Sequence, residues 1–436
     1  MVQQSLPYST QKLFELICHE DTLTQAFAYV KRNKGAPGID NVTVLDFDAI
    51  KLEEIAKLRE ELESWSYKPQ PVKRVTTPKP DGKGVRLLGI PCVRDRVVQA
   101  AIKLTIEPIL DPRFSEHSYG FRPKRSQRQA IEAARQHVEA GKEHIVDIDL
   151  SKFFDRINHD RLIAKLRKVI EDKRVLRLIG LTLRSGVLTS DGYEPTDLGA
   201  AQGSPLSPLL SNVILDELDK ELERREISFV RYADDSIIFT SSRKAAERVM
   251  RNISHFIEKR MKLVINKDKS KVASPRKVTF LGVTFVMGKV AISKAALQHA
   301  KSVIKKLTKR GTNKTLEDTL RDFNSWYMGW STYFEVASFP AQFKTIEAHV
   351  RRRLRARIVS QMKRRKSLFR KLKVKGVKRK TAAKTAFSNM GRWALSRTNA
   401  VENAFSNEYF EMAGMFIKSS QNLRHWFSVN YWVHLS

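Results

Sequence analysis

The chain has 436 residues, with 80 lysines and arginines against 47 aspartates and glutamates, which gives a formal net charge of +33 at pH 7. Such a cationic excess is typical of proteins that bind polyanions, above all nucleic acids. Because 42% of the residues are hydrophobic and 22 are phenylalanine, the chain can form extensive cores, which excludes a disordered basic tail. Cys18 and Cys92 are its two cysteines, so a disulfide framework and a paired-cysteine zinc site are also excluded.

The sequence gives no reason to expect a membrane partner. No uninterrupted apolar run approaches the roughly 18 to 20 residues needed to cross a bilayer. The N-terminal segment MVQQSLPYSTQKLFEL lacks a basic region followed by a hydrophobic one, so it does not resemble a secretory signal. We therefore predict a cytoplasmic location.

The predicted elements alternate between helices and strands through the first 290 residues. Helical spacing covers about 10–32, 46–65, 93–109, 126–140, 158–185 (two helices), 205–225 and 243–261. Strand patterns cover 144–150 and 278–286, and 229–239 predicts a strand, a tight turn and a second strand. Between 69 and 91 the pattern predicts a basic hairpin that turns at 81–84. From about 294 onward nearly every segment is helical, so we expect an α+β part followed by an all-helical part, with the main boundary near 290 to 300.

Positive charge is concentrated in the last third of the chain. Residues 301–436 contain 29 basic and 8 acidic residues, a net charge of +21, and 351–380 carries 16 basic residues and no acidic one. Apolar residues interrupt this run, so part of it can form an amphipathic basic helix. We favour a polyphosphate partner, whose binding would release counterions, over a basic face that is merely solvated. The predicted nucleic-acid-binding residues are Arg351, Arg352, Arg353 and Arg355.

Two acidic segments are the strongest candidates for chemistry. Asp234 and Asp235 lie between apolar runs in the predicted hairpin, where carboxylates are costly unless a cation neutralises them. A solvent-exposed hairpin tip is the simpler alternative. Asp147 and Asp149 share one face of an apolar strand. For each of these residues the alternative to a role in catalysis is a role in an ion pair. Together the two segments predict a cluster of hard oxygen ligands for Mg²⁺, and a pair of such ions can activate a primer 3′-hydroxyl and stabilise a pyrophosphate leaving group.

The chain resembles the reverse transcriptases of group II introns over roughly residues 20–290. Seven blocks occur in the order and spacing of that family's motifs: NKGAPGID, PKPDGKGVRLLGIP, HSYGFRP, DIDLSKFFD, QGSPLSPLLSN, RYADD and FLGVTF. Downstream, WYMGWSTYF and the region at 406–408 look like the family's maturase and DNA-binding segments. For the aromatic residues of WYMGWSTYF, helical spacing favours core packing over base stacking. The C-terminus has no paired-cysteine endonuclease segment, so the match is to shorter bacterial members that lack the endonuclease.

The resemblance implies a fold and a domain order. The fold would be a right-hand polymerase, with fingers and palm built on an antiparallel sheet, an all-helical thumb or maturase domain, and a small basic C-terminal domain. We expect the fingers and palm at 1–290, including an N-terminal helical extension at about 1–32. The thumb would cover 291–380, and the DNA-binding-like domain would cover 381–436.

The resemblance also assigns catalytic roles to single positions. Asp149, Asp234 and Asp235 would bind the metal cofactor, two Mg²⁺ ions for which Mn²⁺ could substitute, and Asp147 would at most support them. Lys269, in INKDKSKV, would protonate the leaving pyrophosphate as a general acid. A plain surface lysine is the alternative for Lys269.

Four positions would bind the incoming nucleotide. Lys79 and Arg86 on the basic hairpin would grip its triphosphate, unless they only form a solvated face. Phe154 would lie beneath the sugar and exclude a 2′-hydroxyl, although it could be an ordinary core phenylalanine. Gln202 would contact the nucleotide and the template, in a loop that departs from the family because Ala201 stands where a proline usually precedes the glutamine.

These roles imply an RNA-directed DNA polymerase that also binds structured group II intron RNA and promotes splicing and retrohoming. Its partners would be template and intron RNA, a DNA primer or target DNA, and deoxynucleoside triphosphates, within a bacterial ribonucleoprotein. Two alternatives remain open: an RNA-binding splicing cofactor without polymerase activity, and a related enzyme repurposed for host defence or DNA repair. An RNA-directed RNA polymerase would share the carboxylates, and Phe154 is the residue that distinguishes it.

Overall fold

The computed structural model describes residues 12–78 and 84–419. The chain folds into two compact units, the first ending at Val278 and the second beginning at Thr279. Each unit has its own hydrophobic core. The predicted division near 290 to 300 falls inside the second unit.

The first unit combines helices with two sheets. Its helices are α1 (Leu13–Cys18), α2 (Glu20–Arg32), α3 (Val44–Ala49), α4 (Lys51–Glu63), α5 (Val93–Leu110), α6 (Gln127–Glu139), α7 (His159–Leu166), α8 (Lys173–Leu183), α9 (Ser207–Arg224) and α10 (Arg243–His255). Its strands are β1 (Val72–Pro78), β2 (Val85–Ile90), β3 (His144–Ile148), β4 (Val187–Thr189), β5 (Gly192–Glu194), β6 (Ser228–Tyr232), β7 (Asp235–Thr240) and β8 (Lys271–Ala273). The predicted helices and the longer strands are confirmed. Strands β4, β5 and β8 were not predicted, because a strand of three residues is too short to show an alternating pattern.

The two sheets place the acidic and the basic hairpins. The central sheet has the strand order β6-β7-β3-β8, and the second sheet has the order β2-β1-β4-β5. In the central sheet β3 runs antiparallel to β7, with Ile148 opposite Ser236. The end of β3 therefore lies beside the start of β7, where the acidic hairpin turns. In the second sheet β1 and β2 form the predicted basic hairpin, with Thr77 opposite Arg86.

Local sequence explains where α6 begins and ends. The side chain of Ser126 accepts a hydrogen bond from the amide of Gln129, and the side chain of Gln129 accepts one from the amide of Ser126. This reciprocal capping box satisfies amides that have no partner inside the helix. Gly141 follows the helix with φ of 81°, a left-handed conformation that glycine adopts readily. Ser126 and Gly141 thus bound the helix predicted at 126–140.

The second unit begins with a short hairpin and continues as helices. Its elements are β9 (Val283–Val286), β10 (Lys289–Ile292), α11 (Lys294–Leu307), α12 (Leu316–Tyr333), α13 (Pro340–Gln361), α14 (Arg365–Val374), α15 (Arg379–Ala386), α16 (Arg392–Leu395), α17 (Asn399–Ala404) and α18 (Asn407–Met412). The predicted strand at 278–286 is shorter than expected, because Leu281 and Gly282 adopt left-handed conformations with φ of 49° and 78°. The helical remainder after 294 is confirmed. Within the described ranges, no helix is long and apolar enough to cross a membrane.

Tyr327, Trp326 and Trp330 of α12 pack into the second unit's core, as predicted, whereas Tyr333 is 38% exposed. Tyr327 is fully buried, stacks on Phe323 with ring centroids 5.0 Å apart, and donates a hydrogen bond to Glu347 at 2.8 Å. Trp326 and Trp330 are partly buried and pack against the same core. That core extends from Ala300 to Phe416, so it includes residues on both sides of position 380.

Helix α5 lies in the core of the first unit and carries a buried carboxylate. Asp95 is 1% exposed. Its oxygens accept hydrogen bonds from the hydroxyl of Tyr67 at 2.7 Å and from the amide of Gln70 at 3.0 Å. These bonds fix the segment between α4 and β1. Burial raises the pKa of Asp95 to about 6, although both hydrogen bonds act in the opposite direction.

Asp95 should make folding stability depend on pH. The pKa of Asp95 rises from 3.8 to about 6 on folding. The contribution of its protonated carboxyl group to folding stability is therefore fully present below about pH 4 and is lost as the pH rises through 6. Asp95→Asn removes this titration and keeps the shape. The stability of the wild type relative to Asp95→Asn should fall by about 2 to 3 kcal/mol between pH 4 and pH 7, measured by urea denaturation. A difference that is constant with pH would contradict the prediction.

Candidate active site

A tight turn joins β6 to β7 and carries two carboxylates. Tyr232 pairs with Asp235, so Ala233 and Asp234 are the central residues of the turn. Ala233 has φ of 58°, a left-handed conformation at a position where such hairpins usually have glycine. Asp234 and Asp235 therefore lie together at the tip of the hairpin.

The turn packs directly on Gly120. A Cβ atom added to Gly120 would lie 2.1 Å from the backbone nitrogen of Ala233 and 2.8 Å from the carbonyl carbon of Tyr232. Both of these atoms belong to the backbone, so neither could move without displacing the turn. Only glycine fits at position 120.

A buried arginine connects this turn to α9. Arg231 is 1% exposed and its Nε donates to Asp219, itself fully buried, at 2.7 Å. Its Nη1 donates to the side-chain oxygen of Asn212 and to the carbonyl of Ala233, each at 2.9 Å. The amide of Asn212 in turn donates to the carbonyl of Gly120 at 2.9 Å. One guanidinium group thus holds the turn, its glycine support and the helix in a fixed relation.

Sequence reasoning gave no role to Arg231, Asp219 or Asn212, although Arg231 lies in RYADD and Asn212 in QGSPLSPLLSN. A signal was available, because an arginine inside the apolar strand FVRY needs a carboxylate or several acceptors if it is buried. The identity of the acceptors depends on how α9 packs on the hairpin, and spacing along the chain does not show this.

Asp149 lies at the same end of the central sheet. The register of β3 with β7 places it level with Asp235. The amide of Asn266 donates to the carbonyl of Asp149 at 2.8 Å, and the amide of Asp149 donates to the hydroxyl of Ser270 at 3.0 Å. These contacts fix the backbone of Asp149 without using its carboxylate.

The carboxylates at this end of the sheet repel one another. The pKa of Asp235 is raised to about 6, mainly by burial and also by the charges of Asp234, Asp147 and Asp149, whereas Arg86 acts to lower it. Burial also raises the pKa of Asp234, again with a contribution from Asp149. The pKa of Asp147 rises to about 6, mainly through burial. Asp234 and Asp235 reach solvent, yet they lie in a recess where protein replaces much of their hydration.

This cluster has the chemistry of a magnesium site that substrate completes. Among the residues that the structure describes, no group of three or more His, Cys, Asp or Glu side chains is already arranged to hold a metal ion. Mg²⁺, however, is usually bound by one or two carboxylates together with water and substrate phosphates. A divalent cation would relieve the repulsion that raises the pKa of Asp235. The residues therefore fit a divalent metal ion.

Phe154 and Gln202 line one cavity of about 490 Å³ in the first unit. The Phe154 ring is half-buried and meets Phe153 edge to face, with centroids 5.3 Å apart. The carbonyl of Phe154 accepts a hydrogen bond from the amide of Ala200 at 2.8 Å. The structure thus brings together two residues that the sequence analysis assigns to the nucleotide.

Two glycines bring the Gln202 loop close to β2. The amide of Gly89 donates to the carbonyl of Gln202 at 2.9 Å. Gly203 has φ of 128°, and a Cβ atom there would lie 2.7 Å from the carbonyl oxygen of Gly89. The hydroxyl of Ser204 donates to Gln99 of α5 at 2.9 Å. These contacts fix the loop even though it lacks the proline usual in the family.

Arg86 and Lys269, two of the cationic residues predicted for the site, are exposed. Arg86 lies on β2, close enough to the acidic hairpin to lower the pKa of Asp234 and of Asp235. Lys269 lies in a turn immediately before Ser270, the residue that contacts the Asp149 backbone. Lys79 lies outside the described residues.

Two of the predicted phosphate-binding arginines on α13 make contacts inside the second unit. Arg355 is 7% exposed, and its Nε donates to the carbonyl of Phe405 at 2.7 Å. Arg353 donates from Nε to the hydroxyl of Thr308 at 2.6 Å. These donors serve the fold and are not available to a phosphate in this conformation.

The other two predicted arginines are partly exposed. Arg352 stacks on Trp393, with its guanidinium carbon 3.8 Å from the ring centroid. Arg351 is also partly exposed. Phosphate contacts by all four arginines stay a prediction.

Known sequences resemble both parts of the chain. The family described as "Reverse transcriptase (RNA-dependent DNA polymerase)" matches residues 77–285, and "Group II intron, maturase-specific domain" matches 297–376. Protein YkfC of Escherichia coli (strain K12) is 33% identical over 302 aligned residues, which cover 60% of this chain and 79% of YkfC. Group II intron-encoded protein LtrA of Lactococcus lactis subsp. cremoris is 32% identical over 272 residues, covering 62% of this chain and 44% of LtrA.

The chain belongs to the group II intron-type reverse transcriptases. Enzymes of this family are RNA-directed DNA polymerases, and the predicted fold class, an α+β polymerase followed by a helical thumb or maturase region, is confirmed. The chain spans less than half the length of LtrA.

The Arg231–Asp219 pair should be essential to the stability of this reverse transcriptase. Asp219→Asn keeps the size of the side chain but leaves a buried guanidinium without its counter-charge, so we expect a loss of about 3 kcal/mol in unfolding free energy. Asp216→Asn on the same helix is a matched control. Its partner Lys220 is 58% exposed, so the expected loss is below about 1 kcal/mol. Chemical denaturation measures both, and equal losses would contradict the prediction.

Proposed function

We propose that this chain extends a primer 3′-hydroxyl on an RNA template with deoxynucleoside triphosphates and two Mg²⁺ ions. The hydroxyl oxygen attacks the α-phosphorus, the new phosphodiester bond forms, the bond to the β-phosphate breaks and pyrophosphate leaves. Mg²⁺ held by Asp149, Asp234 and Asp235, or Mn²⁺ in its place, would activate the hydroxyl and neutralise the leaving group. The observation that carries the proposal is the crowding of these carboxylates at one end of the central sheet.

Cations of the chain would bind the triphosphate and assist its departure. Arg86 already acts on the charges of Asp234 and Asp235, so it can reach a triphosphate bound beside them. A guanidinium group can hold phosphate oxygens through two parallel hydrogen bonds. We assign Lys79, which directly follows Pro78 in the sequence, to the triphosphate as a point charge. Lys269 would donate a proton to the leaving pyrophosphate.

Phe154 and Gln202 would select the nucleotide. Their shared cavity and the hydrogen bond that ties Phe154 to Ala200 support a rigid wall on which the sugar rests. A ring fixed in this way would leave no room for a 2′-hydroxyl. Gln202, held between β2 and α5 by its loop, would contact the nucleotide and the template base.

We also propose that the second unit binds group II intron RNA and promotes splicing and retrohoming, with target DNA as a further partner. The maturase-specific match at 297–376 and the net charge of +21 over 301–436 support this role. Contacts to phosphates and 2′-hydroxyls would make RNA affinity fall steeply with salt. Arg351 and Arg352 are the better candidates for direct contacts, because Arg353 and Arg355 donate hydrogen bonds within the second unit.

The polymerase proposal is tested by extending a DNA primer on an RNA template in the presence of Mg²⁺. Asp234→Asn removes one charge from the cluster, and we expect the rate to fall by at least about a hundredfold. Asp191→Asn changes an exposed carboxylate in the β4–β5 turn and should keep the wild-type rate. All three proteins are compared at equal RNA occupancy.

The outcome separates the two candidate roles. Extension that is lost in Asp234→Asn and retained in Asp191→Asn supports catalysis at the carboxylates. If no protein extends the primer while all bind RNA tightly, the chain is a splicing cofactor and the polymerase proposal fails.

The choice of sugar is tested separately by replacing Phe154 with alanine. We expect the preference for deoxynucleotides over ribonucleotides, measured as the ratio of kcat/KM values, to fall about tenfold or more. Phe121→Ala is the matched control, because Phe121 lines the same cavity and should leave the ratio unchanged. No gain of ribonucleotide incorporation in Phe154→Ala would remove Phe154 from this role.

A further inference from the structure

The segment after α13 carries cations that the fold does not neutralise. Residues 363–384 include twelve lysines and arginines and no acidic residue. Across 12–78 and 84–419, none of these twelve side chains forms an ion pair with a carboxylate. They repel one another, so an anionic partner that covers them would be favoured by relief of that repulsion and by counterion release.

Part of this charge surrounds a concave site within the second unit, which we call the basic cup. The cup lies between the end of α13, the start of α14, and α18 with the loop before it, and has a volume of about 500 Å³. Its rim carries Lys363, Arg364 and Lys371, and its base includes Ile358, Phe405 and Tyr409. All three rim cations are exposed, whereas Phe405 is fully buried and Tyr409 half-buried.

The arrangement matches the chemistry of a nucleotide. Cations at a rim suit a phosphate, and an apolar base with an aromatic ring suits a nucleobase. The volume lies in the range of pockets that hold small ligands. No acidic side chain lines the cup, so a cationic ligand is disfavoured. A base can enter such a site only when it is unpaired and turned out of a strand.

The base of the cup is held rigidly. The Tyr409 ring meets Phe405 and Phe410 edge to face, with centroids 5.3 and 5.2 Å away, and Lys375 lies 4.6 Å from its ring centroid. The hydrogen bond from Arg355 to the carbonyl of Phe405 fixes the adjoining backbone. A preformed site loses less conformational entropy when a ligand binds. Arg355 therefore helps to form the cup through its hydrogen bond to the carbonyl of Phe405.

We propose that the basic cup binds one unpaired nucleotide of single-stranded RNA, with the phosphate at Lys363, Arg364 and Lys371 and the base against Tyr409. The proposal rests on the RNA-binding role proposed above and gives it a site. It assigns specific contacts to the loop before α14, to α14 and to α18. Arg353 and Arg355 then act by supporting the fold.

The rim is tested with the full chain and a short uridine-rich RNA, followed by fluorescence anisotropy at several salt concentrations. Lys363→Ala combined with Lys371→Ala should weaken binding about tenfold and reduce the salt slope by about 1.4, since each phosphate contact on a single strand contributes about 0.7. Lys301→Ala combined with Lys344→Ala removes the same charge from exposed positions outside the cup. This control should change affinity less than about twofold.

The base of the cup is tested with 2-aminopurine placed in the same RNA, because stacking on an aromatic ring quenches its fluorescence. Tyr409→Phe should keep the quenching, and Tyr409→Leu should lose most of it. Circular dichroism checks that each variant remains folded. If Tyr409→Leu does not fold, the rim variants, which change only exposed side chains, decide the question.

The results distinguish this site from the broader proposal. If the wild type binds RNA and the rim variants bind like their control, the cup is overturned and RNA binding by the chain stands. The proposal for the cup is also overturned if the rim variants lose affinity only for an RNA duplex or only for single-stranded DNA. No RNA binding by the wild type overturns both proposals. Primer extension is scored independently, so failure of the polymerase proposal leaves the result for the cup intact.

Discussion

Repulsion among carboxylates at one end of the central sheet is the constraint on which the first unit depends. The side chains of Asp149, Asp234 and Asp235 do not attract one another, so contacts made by other groups must hold them together. The turn is held by the guanidinium of Arg231 and by its close approach to Gly120. The scaffold therefore holds a charge arrangement that would become favourable on binding the cations and triphosphate proposed for this site.

The strands and the hairpin that carry the carboxylates could be predicted from the sequence, but the contacts that hold them in place could not. The longer strands and the acidic hairpin follow from apolar patterns, and the motif blocks follow from residue identity. The partners of Arg231 could not be predicted, because they depend on the packing of α9 against the hairpin. The start of β9 at Val283 was not predicted, for a similar reason. The left-handed conformations of Leu281 and Gly282, which interrupt the strand predicted at 278–286, leave no clear pattern in the hydropathy of the sequence.

Charge in the second unit shows a related limit. The count of basic residues predicted a polyanion partner, but it could not say which cations face outward. Arg357 is 1% exposed and donates to the hydroxyl of Thr319 and the carbonyl of Lys314, so it joins α13 to the start of α12. Net charge therefore overstates the charge available for binding. The surface that remains cationic is better judged from burial and hydrogen bonding.

The continuous core of the second unit bears on how such chains can evolve and be engineered. Leu368 and Leu372 of α14 are buried in one cluster with Ala382 of α15 and Val401 of α17, so the residues after 380 complete a core that begins on earlier helices. They are not an independent module that recombination could exchange at that point. A viable chimaera would carry this core whole, from Ala300 to Phe416, because helices before Arg365 also contribute to it.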